Sequence, residues 1–300
     1  MSLWDFGRSP QATSQALLLA EALRLGPTGL PTPSSLPFGT FFGVYGVGLI
    51  FQQGIVSPVV VMDVKHVGKP FEAVPLTSVP MAKNALDTVF PGEAENWAAN
   101  VFALGINPPE LHISPADDLL APNLGTCGAG VHWDHSHGVL TAGHVGSALA
   151  AAAYSKGVHV GGVVFSCNPA NAGAQVGADV ALIELNPGVP LVTTITGTTQ
   201  VQPLGSLFVL KRGQQSPVAV LGKLEWLTLP SANGTYGDVY LTANSVTQAG
   251  DSGAAVLLQG TTQVVGHVIG GTPGMSSFIQ DITYQLRAIH AHPAFASVTV

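Results

Sequence analysis

The chain has 300 residues, of which 46% are hydrophobic and only 9% are charged, so it can build a sizeable buried core over one or two domains. Its formal net charge is −7, and its ten Lys and Arg residues form no basic cluster, which argues against a nucleic-acid partner. No run reaches the ~18 consecutive apolar residues of a membrane span.

A helix is predicted near the N-terminus. Ser9 and Pro10 resemble an N-cap followed by proline at the first helical position, and Gly26 ends the apolar pattern. Glu21 and Arg24 interrupt this segment, and no positively charged region precedes it, so we do not interpret it as a signal peptide. We therefore expect a cytoplasmic protein.

The next elements predict a small α+β module over residues 1–115. Residues 42–51 and 59–65 are rich in β-branched and aromatic side chains and predict a hairpin, while residues 82–86 predict a short helix. A proline-rich connector follows, and we place the domain boundary near residue 115. The role of this module is open: it could be regulatory, structural or the surface for a protein partner.

The pattern changes in residues 116–300, where short apolar segments alternate with turn residues. This alternation is typical of an all-β sandwich or barrel. A helix is predicted at 279–290, ended by Pro293. The predicted strands are 128–133, 138–141, 159–165, 180–185, 207–210, 218–226, 238–241, 254–258 and 263–269.

Three residues in this second part suggest nucleophilic catalysis. His144 follows an apolar strand, Asp179 precedes another, and Ser252 lies in a glycine-flanked turn. A serine hydroxyl needs a neighbouring base, and histidine, oriented by a carboxylate, is suited to that role near neutral pH. Asp238 is an alternative acid, because it also precedes a strand, whereas Asp251 is expected to point away and pair locally.

The turn around the serine also predicts an oxyanion hole. Gly250 and Gly253 permit a sharp turn, which can direct the backbone amides of Gly250 and Ser252 toward one point. Loss of one such donor typically costs ~3–4 kcal/mol of transition-state stabilisation.

Residues 140–145 (LTAGHV), 178–183 (ADVALI) and 250–253 (GDSG) resemble the signature segments of chymotrypsin-fold, trypsin-like serine proteases. The Thr-Ala-Gly-His form is similar to the bacterial glutamyl-endopeptidase and Deg-type branches. The resemblance covers about 118–300. It implies two six-stranded β-barrels, with His144 and Asp179 from the first, Ser252 from the second, and a peptide substrate in the cleft between them.

A weaker resemblance links residues 44–50 and 58–62 to the N-terminal module of a group of bacterial and plant trypsin-like proteins. It implies a small α+β module in front of the protease domain.

The resemblance also implies a specificity pocket. Its candidate residues are Val246, Thr247, His267, Val268, Gly270 and Gly271. Val246 stands where trypsins carry an aspartate, so cleavage after Lys or Arg lacks its usual counter-charge. His267 suits an acidic substrate side chain, but it falls one residue early in the strand and should face the other way. A small or apolar preference is the other possibility.

Other chemistries have weaker support. His132, Asp134, His135 and His137 contain possible metal ligands, but their spacing matches no helix-borne metalloprotease motif, and we interpret them as a solvated hairpin turn. Cys167 has no assigned base. The sequence therefore predicts a serine endopeptidase without metal or cofactor. The alternative is a catalytically silent or autoinhibited binding module that keeps the fold.

Overall fold

The computed structural model describes residues 10–27, 37–52, 55–93, 100–108, 119–121, 123–171, 175–191, 195–202, 204–211, 214–232 and 234–300. Within them, the helices are α1 Pro10–Leu25, α2 Val64–Val67, α3 Pro80–Val89 and α4 Ile282–His290. Short 3-10 helices lie at Phe38–Phe42, Leu76–Ser78, Pro169–Asn171, Pro230–Ala232 and Pro293–Phe295.

Nineteen strands fall in these ranges, and they are numbered in chain order. The N-terminal strands are β1 Val44–Gln52, β2 Ile55–Asp63, β3 Ala73–Pro75 and β4 Phe102–Ile106. The next eight are β5 Leu119–Leu120, β6 Leu124–Gly125, β7 Gly130–Trp133, β8 Ser136–Thr141, β9 Ala152–Ser155, β10 Val158–Cys167, β11 Val176–Gly177 and β12 Val180–Leu185. The last seven are β13 Gly197–Thr198, β14 Ser206–Lys211, β15 Gln214–Leu229, β16 Gly234–Thr242, β17 Ala255–Leu258, β18 Gln263–Thr272 and β19 Ser276–Asp281.

The strands form two sheets, and each contains a six-stranded barrel. In the 12-stranded sheet, β14 to β19 pair in the order β16-β19-β18-β17-β14-β15, and the additional β15–β16 pairing closes the ring. In the 7-stranded sheet, the order is β6-β5-β9-β10-β12-β8-β7, and the two edge strands β6 and β7 are separated by residues 126–129 alone. Counted as one interrupted strand, β6 and β7 complete a ring of six. The predicted all-β fold with two six-stranded barrels is thereby confirmed.

The N-terminal elements form an α+β unit that continues the second barrel's sheet. β1 pairs with residues 222–227 of β15, beyond the segment of β15 that pairs with β14. Leu19 and Leu23 of α1 are buried against Trp226 of β15, whose indole Nε1 donates to the carbonyl of Ala20 at 2.9 Å. The module and the second barrel therefore share one sheet and one apolar core. The expected boundary near residue 115 lies outside the described residues.

Most predicted elements occur, with some corrections. The predicted helix starts too early, because residues 279–281 complete β19 and α4 begins only at Ile282. Asp281 caps α4 by accepting from the amides of Thr283 and Tyr284, which fixes its first turn. Residues 55–58 belong to β2 instead of the predicted loop, because β1 pairs along them. Ser9 lies outside the described residues. Among the described helices, none is long and apolar enough to cross a membrane.

Candidate active site

The histidine and the aspartate meet where β8 ends and β12 begins, and both side chains are buried. His144 Nδ1 lies 2.7 Å from Asp179 Oδ2, and the backbone amide of His144 donates to Asp179 Oδ1 at 2.8 Å. Because an ionised carboxylate only accepts hydrogen bonds, the imidazole proton belongs on Nδ1. The lone pair of Nε2 is then available as a base.

A tight turn after β8 holds His144 in place. The Asn123 side chain donates to the carbonyl of His144 at 2.7 Å. The preceding residue, Gly143, packs so closely on the backbone of Cys167 and Val180 that an added Cβ would overlap the Cys167 carbonyl oxygen. Gly143 therefore allows the turn to approach β10 and the start of β12, the strand that follows Asp179. This close approach explains the glycine in the Thr-Ala-Gly-His segment.

The serine turn is bound to the first barrel by its backbone. Thr126 donates twice, from its amide to the Ser252 carbonyl at 2.8 Å and from its hydroxyl to the Gly250 carbonyl at 2.9 Å. Gly253, at a φ of 88°, fits against Thr141, the last residue of β8. Since His144 follows β8 directly, these contacts bring the Ser252 turn to the same strand ends as the histidine.

Two features distinguish the geometry from an engaged triad. Ser252 is 0% exposed and His144 only 4% exposed. Nε2 of His144 is buried and makes no hydrogen bond within the described part of the chain. The His144–Asp179 half of the predicted relay is therefore formed, whereas the hydrogen bond between Nε2 and the serine hydroxyl is not. Catalytic hydrogen bonds are often long in the absence of substrate.

The backbone of Asp179 is held by residues that the sequence analysis missed. Its amide donates to Gln280 Oε1 at 2.7 Å, and its carbonyl accepts from Gln285 Nε2 at 3.0 Å. Both glutamines are fully buried. Gln285 sits on the inward face of a predicted amphipathic helix, where a long polar side chain is unusual. A polar residue on the apolar face of this helix is the one sequence signal that could have indicated the role of Gln285.

The candidate pocket residues meet around Ser277 of β19, which the sequence analysis also missed. The Val246 amide donates to Ser277 Oγ at 3.1 Å, and the Thr247 hydroxyl lies 2.7 Å from it. Gly271 pairs with Ser277 across the β18–β19 ladder, and Gly270 pairs with Phe278. These residues present hydroxyls and glycine backbone and no charged group.

His267 and Val268 differ from these pocket candidates. The His267 ring is fully buried, with Nε2 accepting from the Ala129 amide at 3.0 Å and Nδ1 at 2.7 Å from Gln285 Oε1. Burial lowers the pKa of His267 to about 4, so the ring is neutral at pH 7. It thus offers no cation to a substrate. The Val268 side chain is buried in the barrel core, and its backbone carbonyl accepts from Gly253.

The alternative candidates lie elsewhere. Asp238 pairs with Arg287 at 3.0 Å and with Lys223 at 3.5 Å, and Asp251 accepts from the Gln248 amide. The pKa of Cys167 is raised, chiefly by burial and further by the Asp179 charge, which disfavours a thiolate nucleophile.

The histidine-rich segment forms a hairpin turn between β7 and β8, as predicted. Asp134 and His135 occupy the turn itself. The flanking rings of His132 and His137 lie 6.4 Å apart, and His137 Nε2 contacts the Val189 carbonyl at 3.0 Å.

Comparison with known proteins supports the fold. No protein-family model and no curated protein matches the sequence. A glutamic acid-specific serine protease, described as using a novel histidine triad in substrate binding, aligns with a TM-score of 0.50 and 16% identity over 61% of this chain and 97% of that one. Thermobifida fusca protease A aligns at 0.47 and 22% over 59% and 95%. Nocardiopsis protease aligns at 0.47 and 16% over 64% and 96%. The two barrels described above and the alignment at a TM-score of 0.50 show that this chain has the chymotrypsin fold.

Proposed function

We propose that this protein is a serine endopeptidase that cleaves peptide bonds through an acyl-enzyme intermediate. The contact that supports it most directly is the buried pair of hydrogen bonds from His144 to Asp179, at 2.7 and 2.8 Å, beside the turn of Ser252. That arrangement fixes the tautomer in which Nε2 can accept the serine proton. The chymotrypsin fold also supports this proposal, but the argument depends on the site, because one fold can host several functions.

In the proposed reaction, Ser252 Oγ attacks the substrate carbonyl while His144 Nε2 takes its proton. His144 then returns that proton to the leaving amine, and a water molecule repeats the sequence to release the acyl group. Asp179 keeps its charge throughout and stabilises the imidazolium. The amides of Gly250 and Ser252 are proposed to stabilise the oxyanion.

The burial of Ser252 favours a second candidate, an autoinhibited or silent form of the same fold. A nucleophile with no exposed surface cannot reach a substrate until the residues around it move. Such a protein would keep the paired His144 and Asp179 but bind partners without turnover. In that case the N-terminal module, residues 1–115, is the proposed partner surface; its strand β1 pairs with β15 of the second barrel.

For the substrate, we propose a small or uncharged side chain at the cleaved position. Thr247, Ser277 and Gly271 offer hydroxyl and backbone groups, and His267, the histidine among the pocket candidates, is neutral and bonded elsewhere. A peptide library with all residue classes at this position should therefore show poor cleavage after Lys and Arg. Dominant cleavage after a basic residue would contradict this proposal.

The test of the main proposal is labelling with a fluorophosphonate, which reacts with activated serines. The wild-type protein should react at one site per chain, and both Ser252→Ala and His144→Ala should abolish labelling and peptide hydrolysis while retaining a native melting transition. Wild-type labelling of the Ser252→Ala variant would refute the assigned nucleophile. A wild-type protein that is never labelled would favour the silent form.

A further inference from the structure

Asp179 occupies a gap between two strands. β11 ends at Gly177 and β12 begins at Val180, so the amide and carbonyl of Asp179 have no partner in the strand ladders. Gln280 of β19 and Gln285 of α4 provide those partners, at 2.7 and 3.0 Å. A buried backbone group without a partner is costly, so these two side chains determine where the peptide of Asp179 can sit.

Each glutamine is itself held in one orientation. Gln280 Nε2 donates to the carbonyls of Gly177 at 3.1 Å and Gly237 at 2.8 Å, which leaves Oε1 to accept from Asp179. Gln285 Oε1 accepts from His267 Nδ1, because Nε2 of that ring already accepts from the Ala129 amide. The donor and acceptor ends of both amides are therefore defined without ambiguity.

In the part of the chain that the structure describes, the hydrogen bonds to the carboxylate of Asp179 come from one residue. Among the described residues, both of its oxygens bond to His144 alone, one to the ring and one to the amide. Thr126 binds the Ser252 turn to the first barrel, and the backbone of Asp179 offers a second connection between the His144–Asp179 pair and the second barrel. Gln280 and Gln285 make that connection, since they come from β19 and α4 at the end of the second barrel.

We propose that Gln280, Gln285 and His267, together the glutamine–histidine network, are positioning residues for the catalytic aspartate. This inference rests on the proposed serine endopeptidase function. The network sets the position of Asp179 and, through it, the direction of the His144 ring. His267, a pocket candidate by sequence, thereby acts through Gln285 and does not contact the substrate.

The test is Gln285→Met, which keeps the side-chain length but removes both polar ends. The rate constant of fluorophosphonate labelling should fall by roughly 10- to 100-fold, the effect of a misplacement on the order of 1 Å. The labelled fraction at long times should stay that of the wild type. If Gln285 had a merely structural role, the substitution would lower the labelled fraction and leave the labelling rate constant of the folded molecules unchanged.

A proton NMR measurement separates this inference from the proposed function. The proton between His144 Nδ1 and Asp179 should give a low-field resonance, assigned by its loss in Asp179→Asn. It should shift or broaden in Gln285→Met. Because this signal needs neither substrate nor an accessible serine, it reports on the network even if the wild-type protein is never labelled.

The matched control is Ile289→Ala, which removes buried apolar atoms from the same helix and leaves the network intact. It should keep both the labelling rate constant and the resonance. If Gln285→Met does not fold, Gln285→Asn keeps the amide but shortens its reach by one methylene, and the same two changes are expected. A folded Gln285 variant whose resonance is that of the wild type would overturn the inference.

Discussion

Mild acid should destabilise this protein through His267. Its ring is fully buried, and burial lowers its pKa to about 4, compared with 6.5 for an exposed histidine. Between these two values the unfolded chain binds the proton and the folded chain does not. The stability that depends on the neutral His267 ring is therefore fully present above about pH 6.5 and is lost as the pH falls toward 4.

The magnitude follows from the two pKa values. At 1.36 kcal/mol per pKa unit, the difference between pKa values of 6.5 and 4 corresponds to about 3 kcal/mol of unfolding free energy, all of which is lost below pH 4. Between pH 7.5 and 5.0, the linkage relation gives a decrease in the unfolding free energy of about 2 kcal/mol. With a urea dependence on the order of 2 kcal/mol per molar, the unfolding midpoint moves by about 1 M.

The assay is urea unfolding at pH 7.5 and 5.0, followed by tryptophan fluorescence. Other groups titrate in the same range, so the contribution of His267 is isolated with His267→Asn, which should reduce the difference between the two pH values by about 2 kcal/mol. His135→Asn, at the exposed tip of the β7–β8 turn, is the matched control and should keep the wild-type difference. A His267→Asn protein with undiminished pH dependence would refute the reasoning.

Three further predictions concern the site and the core. Asp179→Asn should lower kcat by about 10³- to 10⁴-fold with a native melting curve, because an amide no longer selects the imidazole tautomer; kinetics near those of the wild type would contradict this role. Gly143→Ala forces a methyl group into the Cys167 carbonyl and should cost about 1–3 kcal/mol by urea unfolding, together with slower labelling. Trp226→Phe removes the hydrogen bond to Ala20 and should cost about 1–2 kcal/mol in thermal unfolding, whereas an unchanged Tm would show that this contact is energetically neutral.

The local signals in the sequence located many of the strands of residues 116–300, and they nominated the residues of the candidate site. Val180–Leu185 was predicted to the residue, because a segment with five apolar residues out of six between turns has few alternatives. The predicted helix at 279–290 failed at its start, since residues 279–281 suit either a strand or a helix, and only the pairing of β19 with β16 and β18 selects the strand.

In the N-terminal part, too, local sequence predicted elements but not their pairing. Its helices α1 and α3 and its hairpin were predicted from patterns along the chain, whereas α2 begins at Val64, within residues 59–65 that were predicted as a strand. Its attachment to the second barrel could not be predicted, because the β1–β15 pairing joins segments far apart in sequence, and no local pattern specifies which sheet edge a strand will cover.

What the sequence alone determined were the chemically capable residues: a histidine after a strand, an aspartate before another, and a serine between glycines. Only the tertiary structure decided that Asp179, and not Asp238, meets His144, and that His267 turns inward to Gln285. The physical reason is that residue type fixes what a side chain can donate or accept. Which partner it finds depends on long-range packing, which brings the barrels and the C-terminal helix together and compels each buried polar group to satisfy its hydrogen bonds.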